Sequence, residues 1–215
     1  GEAAALEPLL EQGVSLSVLH GVRSEDMAQA LQSRARPVLS TPEQVARWRA
    51  AGGGACDVMV DTGMNRLGLN WRDDLSAMVA DLGLVTLMSH LASADEDVAL
   101  NAVQCARFRD IRQAIPARRY SLANSAGICR GADFHFDLTR PGLALYGGVP
   151  HPAAADRIRA VVLPQAQILQ RRRLIAVHER RPNLGQRGLI LQRLANVRVQ
   201  KHATLREVVA VGDGS

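Results

Sequence analysis

The sequence predicts an α/β fold on a parallel sheet, read as about six of the eight βα units of a TIM-type (β/α)8 barrel. Three observations carry that expectation. Short apolar, β-prone runs recur along the chain, amphipathic stretches of helical period separate them, and the most polar motifs stand at the ends of the apolar runs. Alternation at this spacing argues for a parallel sheet with right-handed crossovers. Strand ends are where a parallel barrel places its chemistry. Units that succeed one another without a clear reversal favour a barrel over a doubly wound sheet, although periodicity alone leaves both open.

The expected strands, in order, are Val14–Leu19, Pro37–Ser40, Val58–Asp61, Leu84–His90, Tyr120–Asn124 and Gly142–Tyr146. Between them Ser24–Ser33, Thr41–Ala51 and Asp74–Leu82 read as helices. A longer helix is expected from Asp95 to Ile115, with apolar residues at Val98, Val103, Ala106 and Ile111. Thr41-Pro42-Glu43 is a strong helix start: a capping hydroxyl, a proline in the first turn and an early acid. If the chain is a (β/α)8 barrel, its first two strands are expected upstream of Gly1, in keeping with a start that is not Met. Two exposed parallel edges would then make the chain poorly stable by itself.

Composition narrows the function. At 215 residues and 47% hydrophobic content the chain can bury a sizeable core, as one domain or one domain with part of another. No apolar run approaches the roughly 20 residues needed to span a bilayer. The opening GEAAALEPLLEQG lacks the basic start and apolar stretch of a signal peptide, so a cytoplasmic protein without membrane partners is expected. Cys56, Cys105 and Cys129 stand at spacings that suggest neither a disulfide framework nor a metal site, and are expected to be small buried thiols. The net charge of +5 is local. Residues 1–150 hold 14 Arg against 17 acids, whereas residues 151–215 hold 11 Arg and one Lys against 4 acids. Without interleaved aromatics, a zinc pattern or a recognition-helix signature, that basic tail gives only a weak electrostatic warrant for nucleic acid, and no nucleic-acid partner is expected.

Four segments hold the chemistry. VMVDTGMNRLGL (Val58–Leu69) runs from a strand into Arg66, and MSHLASAD (Met88–Asp95) ends a strand in His90. SLANSAGI (Ser121–Ile128) puts Asn124 and Ser125 after a strand, and DLTRPGLALYGGVP (Asp137–Pro150) sets Gly142 behind Arg140. A glycine lets backbone N–H groups approach a ligand, and neighbouring amides pointing one way cradle a phosphate. Each residue also has a plainer reading: a bulge or turn for Gly142, a surface ion pair for Arg140, an ordinary turn for Asn124-Ser125, a structural hydrogen bond for His90.

In this order the four segments resemble the alanine racemases, enzymes built on pyridoxal 5′-phosphate (PLP), over roughly residues 1–175. The resemblance implies a PLP-binding barrel over residues 1–155 and the start of a C-terminal β-domain over residues 156–215. It implies that Ser125 and the amides of Gly142 and Leu143 bind the cofactor phosphate, and that Arg140 donates to the pyridine nitrogen. A guanidinium keeps its proton, so the ring would be a weakened electron sink. By the same resemblance His90 lies against the ring, Asn124 supports the site with a second layer of hydrogen bonds, and Arg66 contacts the phenolic oxygen and steers the substrate carboxylate. The implied activity is interconversion of L- and D-alanine for cell-wall synthesis, by a homodimer when the protein is complete.

The departures are as informative. Many relatives carry a carbamylated lysine two residues before the Asp of DTGM, and Met59 stands there. The one lysine in the sequence is Lys201, and the tyrosines are Tyr120 and Tyr146. Neither the family's Schiff-base lysine nor its second base, a tyrosine in a Gly-Tyr-Gly segment, has a counterpart, so the 215-residue form is expected to be inactive. From about residue 176 the family pattern stops, after Arg157–Leu174, which resembles the crossing into the β-domain. A frame error near Ile175–His178 is the expected cause, with a diverged terminal segment as the competing explanation. A non-catalytic binding module derived from the barrel, or another PLP enzyme of the same fold type, are the alternative functions.

Overall fold

The computed structural model of the chain describes residues 2–162, which fall in one compact unit. Six parallel strands form its sheet: β1 Ser17–Val18, β2 Arg36–Leu39, β3 Ala55–Asp61, β4 Leu69–Asn70, β5 Gly83–Met88 and β6 Arg119–Ser121. They follow in the order β1-β2-β3-β5-β6, with β4 paired to the end of β3. The short β4 apart, neighbours in sequence are neighbours in the sheet, with no switch point, and this sequential order defines an arc of a TIM-type barrel. The crossovers carry α2 (Met27–Gln32), α3 (Pro42–Ala50), α4 (Leu75–Val79) and α5 (Ala99–Ala114), after a short first helix, α1 (Glu2–Leu6). Of the expected β-domain start over residues 156–215, residues 156–162 fall in the same compact unit, and the rest, with the break near residue 176 and Lys201, lies outside the described residues.

Local chemistry explains the helix starts. The Thr41 hydroxyl accepts from Gln44 N at 3.2 Å with Pro42 in the first turn, and Asp74 accepts from Ala77 N at 3.1 Å to start α4. The strands sort their residues by period two. Cys56, Val58 and Val60 of β3 join Leu39, Leu87, Trp48 and Phe108 in the core under the helices. Met59, on the alternate face, packs with Val38 and Met88 in a second cluster. In that face Asp57 accepts from Ser17 Oγ at 2.5 Å and Arg36 Nε at 3.1 Å, a buried ion pair one layer below the Met59 cluster. Stacked layers of this kind fill a barrel interior.

Three expectations are corrected. Gly142–Tyr146 is not a strand: Leu143–Tyr146 forms a 3₁₀ turn closed by Leu145 N to Gly142 O at 3.0 Å and Gly147 N to Ala144 O at 3.0 Å. Its apolar residues face outward, and Gly147 ends it in the left-handed region (φ 81°). The sheet reaches a sixth position instead at Arg140, whose N–H donates to Ala123 O at 2.8 Å in a parallel bridge with Asn124. The helix expected from Asp95 starts only at Ala99, with Val98 at its N-cap; Val98, Val103 and Ala106 are exposed, and the buried face of α5 is Asn101, Gln104, Cys105, Phe108 and Ile111. Of the four apolar residues expected in this helix only Ile111 is buried, because Asn101 and Gln104 take part of the inner face. Cys56 and Cys105 are buried, whereas Cys129 is only partly so.

Gly68 shows how tightly the β3–β4 turn is drawn. Its φ is +129°, and a Cβ there would lie 2.5 Å from Asp61 N and 2.7 Å from the Val60 carbonyl carbon. Gly68→Ala is therefore expected to cost about 1–3 kcal/mol, read as a loss of several degrees in thermal unfolding.

Candidate functional site

Arg66, His90, Asn124 and Ser125 stand beyond the C-terminal ends of β3, β5 and β6, and Arg140, Gly142 and Leu143 join them at the bridge to Asn124. After β3, Asp61 organises the DTGMNR turn: its carboxylate accepts from Gly63 N (2.8 Å), Met64 N (2.8 Å) and Arg66 N (3.0 Å). Asn65 takes the left-handed conformation (φ 57°) that the tight loop requires. Arg66 is thus held by its backbone, while its side chain is exposed and makes no ion pair among the described residues. Met59 lies in its apolar cluster and offers no anion to orient that guanidinium.

After β5 and β6, His90 and Asn124 meet. Asn124 caps α6 (Ser125–Ile128) by accepting from Gly127 N at 2.8 Å, which turns its amide nitrogen toward His90 Nε2 at 3.3 Å. Asn124 Nδ2 donates, so His90 Nε2 accepts and the ring proton belongs on Nδ1. Burial, then Arg140 and Arg66, push the His90 pKa from 6.5 down to about 4. Arg140 in turn donates from its two terminal nitrogens to Ser121 Oγ and to the Ser89 carbonyl. Ser121 Oγ keeps its own proton for Leu138 O at 2.6 Å. No carboxylate pairs with Arg140 among the described residues, and burial draws its pKa from 12.5 down to about 10. An unpaired, desolvated guanidinium attracts an anion or a strong acceptor.

The third group lies beside it. Ser125 is buried, and its hydroxyl oxygen accepts from Gly142 N at 2.8 Å and Ala144 N at 3.2 Å. Its proton remains free to be donated outward. Where a Cβ of Gly142 would be, there is no atom within 4 Å, and Leu143 next to it is 56% exposed. Gly142 and Leu143 therefore border open space with Ser125 behind them, and because the Gly142 amide is spent on Ser125, the donors left to fit a phosphate group are the Ser125 hydroxyl and the Leu143 amide.

Several residues here escaped the sequence reading. Ser89 and Ser121 anchor Arg140, and Asp61 folds the Arg66 loop. A serine at the end of each apolar run was the available signal, but short hydroxyl residues at strand ends are too common to single out.

His90 gives a pH prediction. The unfolded histidine binds its proton near pH 6.5 and the folded one only near 4, so between these values the unfolded chain holds more protons. Its contribution to stability is full above pH 6.5 and is lost as the pH falls toward 4. Urea unfolding at pH 7 and pH 4.5 is expected to show that loss, and His90→Gln is expected to reduce it.

Sequential parallel strands with two arginines, a histidine of lowered pKa and a buried serine hydroxyl gathered at their C-terminal ends define an arc of a TIM-type barrel with a polar cluster at its strand ends. Residues 1–150 match the family model "Alanine racemase, N-terminal domain", and the chain belongs to the alanine racemase family. It is similar to the alanine racemase of Rhizobium meliloti, 40% identical over 179 residues, which cover 79% of this chain and 47% of that protein. The alanine racemase of Rhodospirillum rubrum is 43% identical over 178 residues, 77% of this chain and 47% of that protein. Among solved structures, the Bartonella henselae alanine racemase with covalently bound pyridoxal phosphate superposes with a TM-score of 0.67 at 31% identity, over 74% of this chain and 48% of that one. The chain thus spans about half the length of the curated relatives it matches.

Proposed function

We propose that residues 2–162 form the cofactor-binding part of a PLP-dependent alanine racemase, able to bind PLP reversibly but not to racemise alanine as the 215-residue form. The observation that carries this reading is the cradle of Ser125 and Gly142 opening beside the desolvated, unpaired Arg140. When bound, PLP supplies an electron sink that acidifies the α-proton of an amino acid. Ser125 and the Leu143 amide would hold its phosphate, joined by the Gly142 amide once that group leaves Ser125, and Arg140 would donate to the ring nitrogen. His90, neutral and proton-bearing at Nδ1, packs and orients in this site without adding a second charge. Arg66, free at its tip, would take the carboxylate of alanine.

Proton transfer at both faces of the alanine Cα needs two bases. Tyr120 is already committed, donating to Ile115 O at 2.9 Å and accepting from Ala117 N at 3.0 Å. The sole lysine is Lys201. In the complete enzyme the reading implies a cytoplasmic homodimer that supplies D-alanine. Equilibrium dialysis followed by borohydride reduction tests the proposal for this chain. Saturable, reversible PLP binding with no pyridoxyl adduct on Lys201 is expected. Absence of binding, or a stoichiometric Lys201 adduct, would refute it.

A further inference from the structure

We propose that Gln104, on the helix side of the barrel, is a positioning residue that locks the C-terminal ends of β3 and β5 together and so sets the places of His90 and Arg140. The inference rests on the cofactor reading above for its binding consequence, and on geometry alone for the rest.

Gln104 is completely buried on the inner face of α5, at a position where helix periodicity calls for an apolar side chain. Burying a primary amide is costly unless each of its groups is matched. Here they are. Nε2 donates one hydrogen to Thr62 Oγ1 at 3.2 Å and the other to the His90 carbonyl at 3.0 Å, while Oε1 accepts from Ala92 N at 2.9 Å. Thr62 Oγ1 in turn shares a hydrogen bond with Ser89 Oγ at 2.8 Å, and both hydroxyls are fully buried. Arg107, one helical turn from the same face, donates to Thr62 O at 2.7 Å and stacks on Trp71.

The consequence follows from what these atoms neighbour. Thr62 begins the loop that carries Arg66. The Ser89 carbonyl is an acceptor of Arg140, and His90 is the next residue. One side chain therefore fixes the end of β3 and both sides of the His90 peptide, without touching the open space at Gly142. Leucine has nearly the same volume and would satisfy none of the three partners.

The test compares Gln104→Leu and Gln104→Glu with Ile111→Val, a core change on the same helix that makes no polar contact with the site. The full chain is used throughout. Titration of the His90 ring by NMR reads its environment without any cofactor, and dialysis against PLP reads affinity. In Gln104→Leu the His90 pKa is expected to rise from about 4 by a unit or more as water reaches the ring, and the PLP dissociation constant to rise at least tenfold. Gln104→Glu keeps the shape and one donor when protonated, so the same shifts are expected at smaller size. It carries the test if the leucine variant does not fold. Ile111→Val should move neither. Folded Gln104 variants whose His90 titrates as in the parent chain would overturn the proposal. A parent chain that binds no PLP would instead remove the cofactor reading and leave the His90 titration to judge Gln104.

Discussion

Incubated with L-alanine and PLP in D2O, the 215-residue chain is expected to introduce deuterium at Cα no faster than PLP in buffer. The expectation follows from an inventory of bases. A racemase must take a proton from one face and return it on the other, and each positioned acid–base group contributes about 10²–10⁴ in rate. Asp61 is engaged by three backbone amides, and His90 Nε2 accepts the Asn124 amide while burial, then Arg140 and Arg66, hold its basicity far below neutral. A nitrogen with a pKa of about 4 is a poor acceptor for a carbon acid at pH 7. Tyr120 is tied at both its donor and acceptor to the α5–β6 connection. Measured by the decay of the Cα proton signal, exchange above the protein-free rate would mean that a base outside this set serves the site.

Replacing Arg140 is the second large effect. Arg140→Met is expected to weaken PLP binding about 10–100-fold, the worth of a charge-assisted hydrogen bond of about 1.5–3 kcal/mol. Thermal stability should change far less. The guanidinium is desolvated without a counter-ion, so deleting it removes a cost as well as the bonds to Ser121 and Ser89. Arg140 also lowers the His90 pKa, so the His90 titration should move upward in the variant. Loss of affinity at nearly constant stability is the signature of a residue kept for a ligand. If stability fell in step with affinity, Arg140 would be a structural residue.

Much of this was legible in the residues themselves. The alternation of β-prone runs and amphipathic stretches foretold a parallel sheet in sequential order, and Thr41-Pro42 marked a helix start that the structure caps as expected. Pattern reading failed where side chains outweigh periodicity. GLALY has the composition of a strand, but Ser125 draws in the amides of Gly142 and Ala144 and the segment curls into a 3₁₀ turn. In α5 the inner face holds Asn101 and Gln104, polar groups that only tertiary partners justify, while Val103 and Ala106 stand on the outer face. Motif residues showed where ligands would be met. The supports behind them, Asp61, Ser89, Ser121 and Gln104, became visible only with the chain folded.

Amide NMR of the isotope-labelled chain titrated with PLP tests the central claim most directly. The cradle predicts saturable shifts concentrated at Ser125, Gly142 and Leu143, and their loss in Arg140→Met or at high phosphate. Shifts absent from those three amides, or gathered elsewhere on the barrel, would contradict it.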